Sequence, residues 1–344
     1  ENRPKIAFGP HDAIYVSWSQ PRAQPWTGFV RFARSLDGGE HFSTPLTVHH
    51  DRAEITHRFD ALAVDGHGRI VIAWIDKRDV IAATAHGKPY LGAAVYYSWS
   101  DNGGRSFVPE RKLVDQSCEC CRIALARTPG GDVAAFFRSV YGDNIRDHAY
   151  AVLHTDDQPS HATRATFSDW QIAGCPHHGP GLAIGSDGVR HAVWYEAKDK
   201  PTIHYGQLDP GQPPQQSLVM AGPGASHADV AVHDRTVWVV WNQVGADGYA
   251  LMLRRSTDNG RQFESGSDRL TPDAEALFRS VAEQYSYPKQ QARLTPASTD
   301  EERAAVETLR TKRILLVGHT DDTGNSSANA NLSERRAAAV ARVF

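Results

Sequence analysis

Four cysteines fall in two short segments: Cys118, Cys120 and Cys121 in Ser-Cys-Glu-Cys-Cys-Arg, and Cys175 in Gly-Cys-Pro-His-His-Gly-Pro with His177 and His178. Thiolates with imidazoles make a ligand set for a soft cation such as Cu(I) or Zn. An even number of cysteines in an exported chain is equally the material of disulfides, and that reading is weighed first. Adjacent Cys120 and Cys121 rarely bridge each other, so the expected bond joins Cys175 to one of the triplet. A single bridge leaves two thiols, so bridge and metal are compatible. Other histidines, among them His49, His50, His57, His67 and His86, are scattered and are assigned no role, since a lone histidine is more often a turn or surface residue than a ligand.

Both cysteine segments immediately precede strand-like runs, Ile123-Ala-Leu-Ala126 and Gly181-Leu-Ala-Ile184, and those runs belong to a repeat. Its plainest copies are Asp12–Trp18, Gly68–Trp74, Gly131–Phe137, Gly188–Trp194 and Arg235–Trp241, each rich in β-branched and aromatic residues and most entered through a Gly or Asp turn. Most are preceded by a second short run such as Ala61–Val64, Ala124–Ala126 or Asp229–Val232. A spacing of roughly fifty to sixty residues with several strands per unit predicts a β-propeller more than a sandwich. Five copies are visible, so five to six blades are expected. Equivalent positions in successive blades lie at one end of the channel, which would gather the four cysteines with His177 and His178.

Composition agrees with a folded chain: 344 residues, 22% charged and 40% hydrophobic. With 37 basic against 40 acidic residues the net charge is −3, which gives no support to nucleic-acid binding. No apolar run reaches membrane-span length; Ile314-Leu-Leu-Val317 is only a strand. The chain opens at Glu1 without an initiator Met or a signal-peptide core, as expected of a processed product or a fragment. Composition shifts near residue 265, from Trp, Val, Gly and His to Ala, Glu and Arg at helical spacing. The boundary predicts a propeller over 1–265 and a small α/β domain over 266–344.

Three turns carry a more specific pattern: Ser35-Leu-Asp37-Gly-Gly39-Glu-His-Phe42, Ser100-Asp-Asn102-Gly-Gly104-Arg-Ser-Phe107 and Ser256-Thr-Asp258-Asn-Gly260-Arg-Gln-Phe263. The pattern resembles the Asp-box of the sialidase (BNR-repeat) superfamily. Physically, the Asp or Asn accepts backbone N–H groups, Gly supplies a positive φ, and the aromatic packs beneath. Enzymes of that family clamp a carboxylate with arginines, activate a Tyr nucleophile with Glu, and use an Asp acid/base. The resemblance therefore nominates Arg58, Arg138 and Arg146 as clamp, Asp60 as acid, and Tyr141 or Tyr195 with Glu196 as nucleophile pair. The Arg-Ile-Pro signature of the first blade is absent. Tyr195 and Glu196 are sequence neighbours, which on a strand point to opposite faces. Binding or scaffolding is thus preferred, with an exo-sialidase-type hydrolase and a soft-metal propeller as alternatives.

Near the C-terminus, Ile314-Leu-Leu-Val-Gly318-His319-Thr320-Asp321-Asp-Thr-Gly324 is followed by Asn331-Leu332-Ser333-Glu334-Arg335-Arg336-Ala337. This is similar to the peptidoglycan-binding module of the OmpA-like family: a strand, Gly-His-Thr-Asp-x-x-Gly, then a helix opening Leu-Ser-x-x-Arg-Ala. Local signals agree, with an apolar strand, a polar loop and apolar helical spacing at Leu332, Ala337 and Val340. Upstream helices are expected over Ala274–Tyr285 and Thr299–Thr311. The resemblance implies that Asp321 and Arg336 hold the charged ends of diaminopimelate in a stem peptide. It further implies a periplasmic or outer-membrane-associated place in a Gram-negative-type envelope. The family's module continues for further elements, so only its first part is expected before Phe344. A glycan or protein ligand is expected at the propeller channel.

Overall fold

The computed structural model describes residues 3–11, 13–245, 248–266 and 268–269. The elements expected beyond these, together with Asp321 and Arg336, lie outside the described residues.

Among the described residues, twenty strands form five four-stranded sheets, each running in sequence order with neighbours hydrogen-bonded. The first blade comprises β1 (Lys5–Phe8), β2 (Ile14–Pro21), β3 (Gly28–Ser35) and β4 (Leu46–Thr47). The second comprises β5 (His57–Val64), β6 (Ile70–Asp76), β7 (Ala93–Ser100) and β8 (Arg111–Ser117). The third is β9 (Ala124–Arg127), β10 (Val133–Arg138), β11 (His148–Leu153) and β12 (Thr163–Arg164). The fourth is β13 (Gly181–Ile184), β14 (Arg190–Glu196), β15 (Thr202–Gln207) and β16 (Ser217–Ala221). The fifth is β17 (Ala225–His233), β18 (Thr236–Gly245), β19 (Gly248–Ser256) and β20 (Asp268–Arg269). Within each sheet the strand pairings are antiparallel, and the innermost strands β1, β5, β9, β13 and β17 are neighbours in succession. This is a β-propeller, with five sheets among the described residues. Among the described residues one helix, α1 (Arg78–Ala85), lies in the second blade between β6 and β7 in sequence.

Each middle blade is covered on both faces, so its central strands lose the apolar–polar alternation of a half-exposed sheet. β6 (Ile-Val-Ile-Ala-Trp-Ile-Asp) and β7 are buried at every position. Because side chains alternate, β6 sends Ile70, Ile72 and Trp74 into the core shared with the first blade, and Val71, Ala73 and Ile75 into that shared with the third. Two further cores fill the third–fourth and fourth–fifth interfaces. The hydrophobic interior is thus a series of seams between blades.

The three Ser-x-Asp/Asn-x-Gly turns occupy the same place, after the third strand of the first, second and fifth blades. Ser35 Oγ donates to Asp37 at 2.6 Å, Ser100 Oγ to Asn102 at 2.9 Å and Ser256 Oγ to Asp258 at 2.7 Å. Each serine Oγ also accepts the N–H of Gly39, Gly104 or Gly260 at 2.8–2.9 Å. Two of the following aromatics reach the preceding blade: Phe107 meets Phe32 edge-on at 5.1 Å, and Phe263 meets Tyr205 at 4.8 Å. The glycines press against the same rings. A Cβ on Gly104 would lie 2.5 Å from Phe32, and one on Gly260 1.8 Å from the Tyr205 hydroxyl, both at φ near +80°.

Gly260→Ala therefore combines a disfavoured φ with a collision at a blade seam. It should lower unfolding stability by about 2–4 kcal/mol, read by urea denaturation, whereas Gly38→Ala, with open space around its Cβ, should cost about 1 kcal/mol.

Candidate functional site

The end of the channel where the inner strands begin gathers most of the chemistry-bearing residues. β10 ends on Arg138, which is 1% exposed. A buried guanidinium must find acceptors for its N–H groups. Arg138 donates to the main-chain oxygens of Arg146 at 2.6 Å, Tyr195 at 2.6 Å and His178 at 3.2 Å, and lies over the Trp170 ring. It therefore stitches the third blade to the fourth. Arg146 donates to Ile172 O and Asn144 Oδ1, both at 3.3 Å. Arg122 plays a similar part, donating to Pro180 O at 3.0 Å and to Ala228 O of β17.

The remaining members of the nominated sialidase-like set are also engaged internally. Asp60, fully buried on β5, accepts from Ser17 Oγ at 2.5 Å and Ser19 Oγ at 2.9 Å on β2, linking the second blade to the first. Arg58 lies over the Trp26 and Phe59 rings. Tyr141 lies under Arg164, and burial pushes its hydroxyl up to about 12. Glu196 pairs with His204 at 3.1 Å and accepts the Trp194 indole N–H at 3.3 Å. Burial opposes its ionisation, yet these bonds outweigh burial and hold it below the ordinary range. Tyr195 points the other way, stacked on His178 at 3.9 Å. Arg138 and Arg146 are brought together; a Tyr–Glu pair is not formed by Tyr195 or Tyr141 with Glu196.

The cysteines do converge. Cys120 is bonded to Cys175, joining the segment before β9 to the segment before β13. Cys118 and Cys121 remain thiols, buried, with Sγ atoms 3.2 Å apart. The hydrogen bond from Cys121 lowers the Cys118 thiol below its ordinary value against the effect of burial, and the charges of Arg138 and Arg146 add to the lowering. The Sγ atoms of Cys118, Cys120 and Cys175 lie within 4.8 Å of one another. With Cys120 and Cys175 bonded to each other, neither offers a thiolate to a cation. His178 is turned to Tyr195 and His227, and His177 is exposed at positive φ.

A second polar cluster was not anticipated. His49 and His57 stack at 4.0 Å between the first and second blades, His49 accepting the Val30 N–H of β3, and His57 Nδ1 of β5 meets Asp76 Oδ2 at 2.9 Å. Asp76 also accepts from Trp74 Nε1 at 2.9 Å and from Arg78 at 2.8 Å; Arg78 in turn reaches Glu110 at 2.8 Å. Burial and the neighbouring His57 push His49 down to about 3. A signal was present in the sequence: Trp74-x-Asp76, Trp194-x-Glu196 and Trp241-x-Gln243 place an acceptor two residues after a Trp late in the second strand of the blade, on the same face. In all three the indole N–H donates to it. Glu196 thus belongs to a recurrent tryptophan-tethering device.

Residues 286–344 match the OmpA family. No curated protein sequence matches the chain. Among solved structures, the GH93 α-L-arabinofuranosidase of Fusarium graminearum in complex with arabinobiose is similar at TM-score 0.54 and 12% identity, over 78% of this chain and 79% of that one. The α-L-arabinanase of Penicillium chrysogenum gives TM-score 0.51 and 11% identity, over 76% and 78%. The Hadza microbial sialidase Hz136 gives TM-score 0.50 and 10% identity, over 78% of this chain and 58% of that one. The chain thus spans little more than half of that sialidase. These likenesses give the fold: a sialidase- and arabinanase-type propeller, here joined to an OmpA-family segment. The latter suggests association with the cell envelope, and no helix among the described residues is long and apolar enough to cross a membrane.

The His57–Asp76–Arg78–Glu110 cluster sets a pH dependence. Burial alone would raise both carboxyls, but bonds from His57 and Arg78 to Asp76, and from the His50 backbone and Arg78 to Glu110, lower them instead. A depressed folded-state value stabilises fully above the unfolded values of 3.8 and 4.5, and that stabilisation is lost as pH falls below them. Asp76→Asn should lower unfolding stability at neutral pH by about 3–5 kcal/mol, and the gap from wild type should narrow in urea melts as the buffer is taken towards pH 3.

Proposed function

We propose that the chain is a cell-envelope protein tethered to peptidoglycan by its OmpA-family segment, and that it displays the propeller as a binding or scaffold module. The observation that carries this is the match over residues 286–344, which includes the Gly318-His-Thr-Asp321 sequence and Arg336. One carboxylate and one guanidinium suit a zwitterion: Asp321 faces the ammonium and Arg336 the carboxylate of stem-peptide diaminopimelate. Such tethering belongs to the periplasmic face of a Gram-negative-type outer membrane. In the propeller the three turns are read as Asp-boxes, and two of them fasten neighbouring blades. On the channel end, Trp26 is 67% exposed, with Arg58 behind its ring, which suits a glycan or protein ligand.

Hydrolysis of a sialoside needs a carboxylate clamp with N–H groups to offer, a nucleophile with its own base, and a carboxylic acid beside the leaving oxygen. Arg138, Arg146, Asp60 and Glu196 hold internal partners instead, and this supports binding over catalysis.

The full chain should sediment with purified peptidoglycan, and Asp321→Ala or Arg336→Ala should reduce the bound fraction at least about tenfold, since each leaves its partner charge unanswered. Retention equal to wild type in both variants would refute the tether. With a fluorogenic sialoside the purified protein should release no fluorophore above buffer; steady turnover would establish a hydrolase.

A further inference from the structure

The two thiols that the bridge leaves over are placed for a reaction. Cys118 and Cys121 form a Cys-x-x-Cys pair with sulfurs 3.2 Å apart, and Cys118 Sγ lies within 4.8 Å of both sulfurs of the Cys120–Cys175 disulfide. An attacking thiol, a resolving thiol and a target disulfide are thus gathered at one seam between blades. The surroundings favour a sulfur anion. Arg138 and Arg146 form no ion pair with a carboxylate among the described residues, and Arg138 Nε and Arg146 Nη1 are buried without an acceptor. Positive charge of this kind stabilises a thiolate nucleophile. The same charge opposes an added cation, and a thiol contact of 3.2 Å fits pairing of the two sulfurs better than their joint coordination of a metal.

We propose that this cluster is a thiol–disulfide exchange site, in which the Cys118/Cys121 dithiol takes over the disulfide that joins Cys120 to Cys175. Cys118 thiolate attacks Cys175 Sγ, forming a Cys118–Cys175 bond and expelling Cys120 as thiolate. Cys121 thiolate then attacks Cys118 Sγ, forming Cys118–Cys121 and expelling Cys175. Two electrons pass from one cysteine pair to the other and two protons follow, so no outside oxidant or reductant enters. The fastening between the segments before β9 and β13 opens, and Cys175, the least buried of the four, is exposed as a thiol to small disulfide or thiol compounds. Bond migration of this type needs only access and a thiolate fraction.

Trypsin separates the two states, because Cys118, Cys120 and Cys121 share the peptide Leu113–Arg122 and Cys175 lies alone in Ala165–Arg190. Full-length oxidised protein is incubated at neutral pH without reductant, quenched in acid, alkylated with N-ethylmaleimide and mapped by mass spectrometry. The expected result is a growing population in which Ala165–Arg190 is released with alkylated Cys175 while Leu113–Arg122 keeps an internal bridge. Cys118→Ser should reduce that population at least about tenfold. Cys121→Ser should stall at a cross-linked pair in which Cys120 is alkylated and Cys118 is not. Circular dichroism confirms that each variant is folded, and the wild-type time course decides the matter if either is not. Permanent Cys120–Cys175 linkage in wild type, equal migration in Cys118→Ser, or stoichiometric zinc or copper on the cluster in purified protein would each overturn the proposal.

Discussion

Burying a guanidinium requires acceptors in the right directions, and around Arg138 those acceptors come from three separate segments: the loop at Arg146, the segment at His178, and β14 at Tyr195. A propeller has no single core. Its blades touch only their neighbours, so whatever fixes one blade against the next fixes the whole ring. The apolar seams supply the driving force but little direction. Direction comes from polar groups that cross the seams near the channel: Asp60 to Ser17 and Ser19, Arg138 to the fourth blade, Arg122 to Pro180 and Ala228, and the Cys120–Cys175 bridge.

Charged residues at the channel end of a propeller can face inward to a ligand or sideways to the next blade. Here Arg138 and Asp60 turn sideways: the Nη groups of Arg138 donate to backbone oxygens, and Asp60 accepts from serine hydroxyls. The outer rim uses a second fastening, in which a glycine and an aromatic from two of the three turns meet a ring of the preceding blade, Gly104 with Phe32 and Gly260 with Tyr205.

Much of this order is written locally and so could be read from the chain. The five aromatic-ended runs correspond to β2, β6, β10, β14 and β18, and the shorter runs before them include β5, β9, β13 and β17, because buried central strands need the same β-branched and aromatic residues in every blade. The turns were legible for the same reason: serine, acid and glycine act within eight residues. The roles of Arg138, Asp60 and Glu196 were not legible, since residue type and spacing do not reveal whether a charge points along the channel or across a seam. The His57–Asp76–Arg78–Glu110 network escaped because its members come from β5, β6, α1 and the approach to β8. Only the Trp-x-acceptor repeat hinted at it.

The measurement that bears most directly on the role of the channel arginines is the urea unfolding free energy of Arg138→Met, which keeps the bulk of the side chain and removes its N–H groups. If Arg138 is a fastener between blades, the loss of its bonds to three carbonyl oxygens should lower stability by about 3–5 kcal/mol. An unfolding curve that coincides with wild type would contradict it, and would return Arg138 to the list of residues held ready for a ligand.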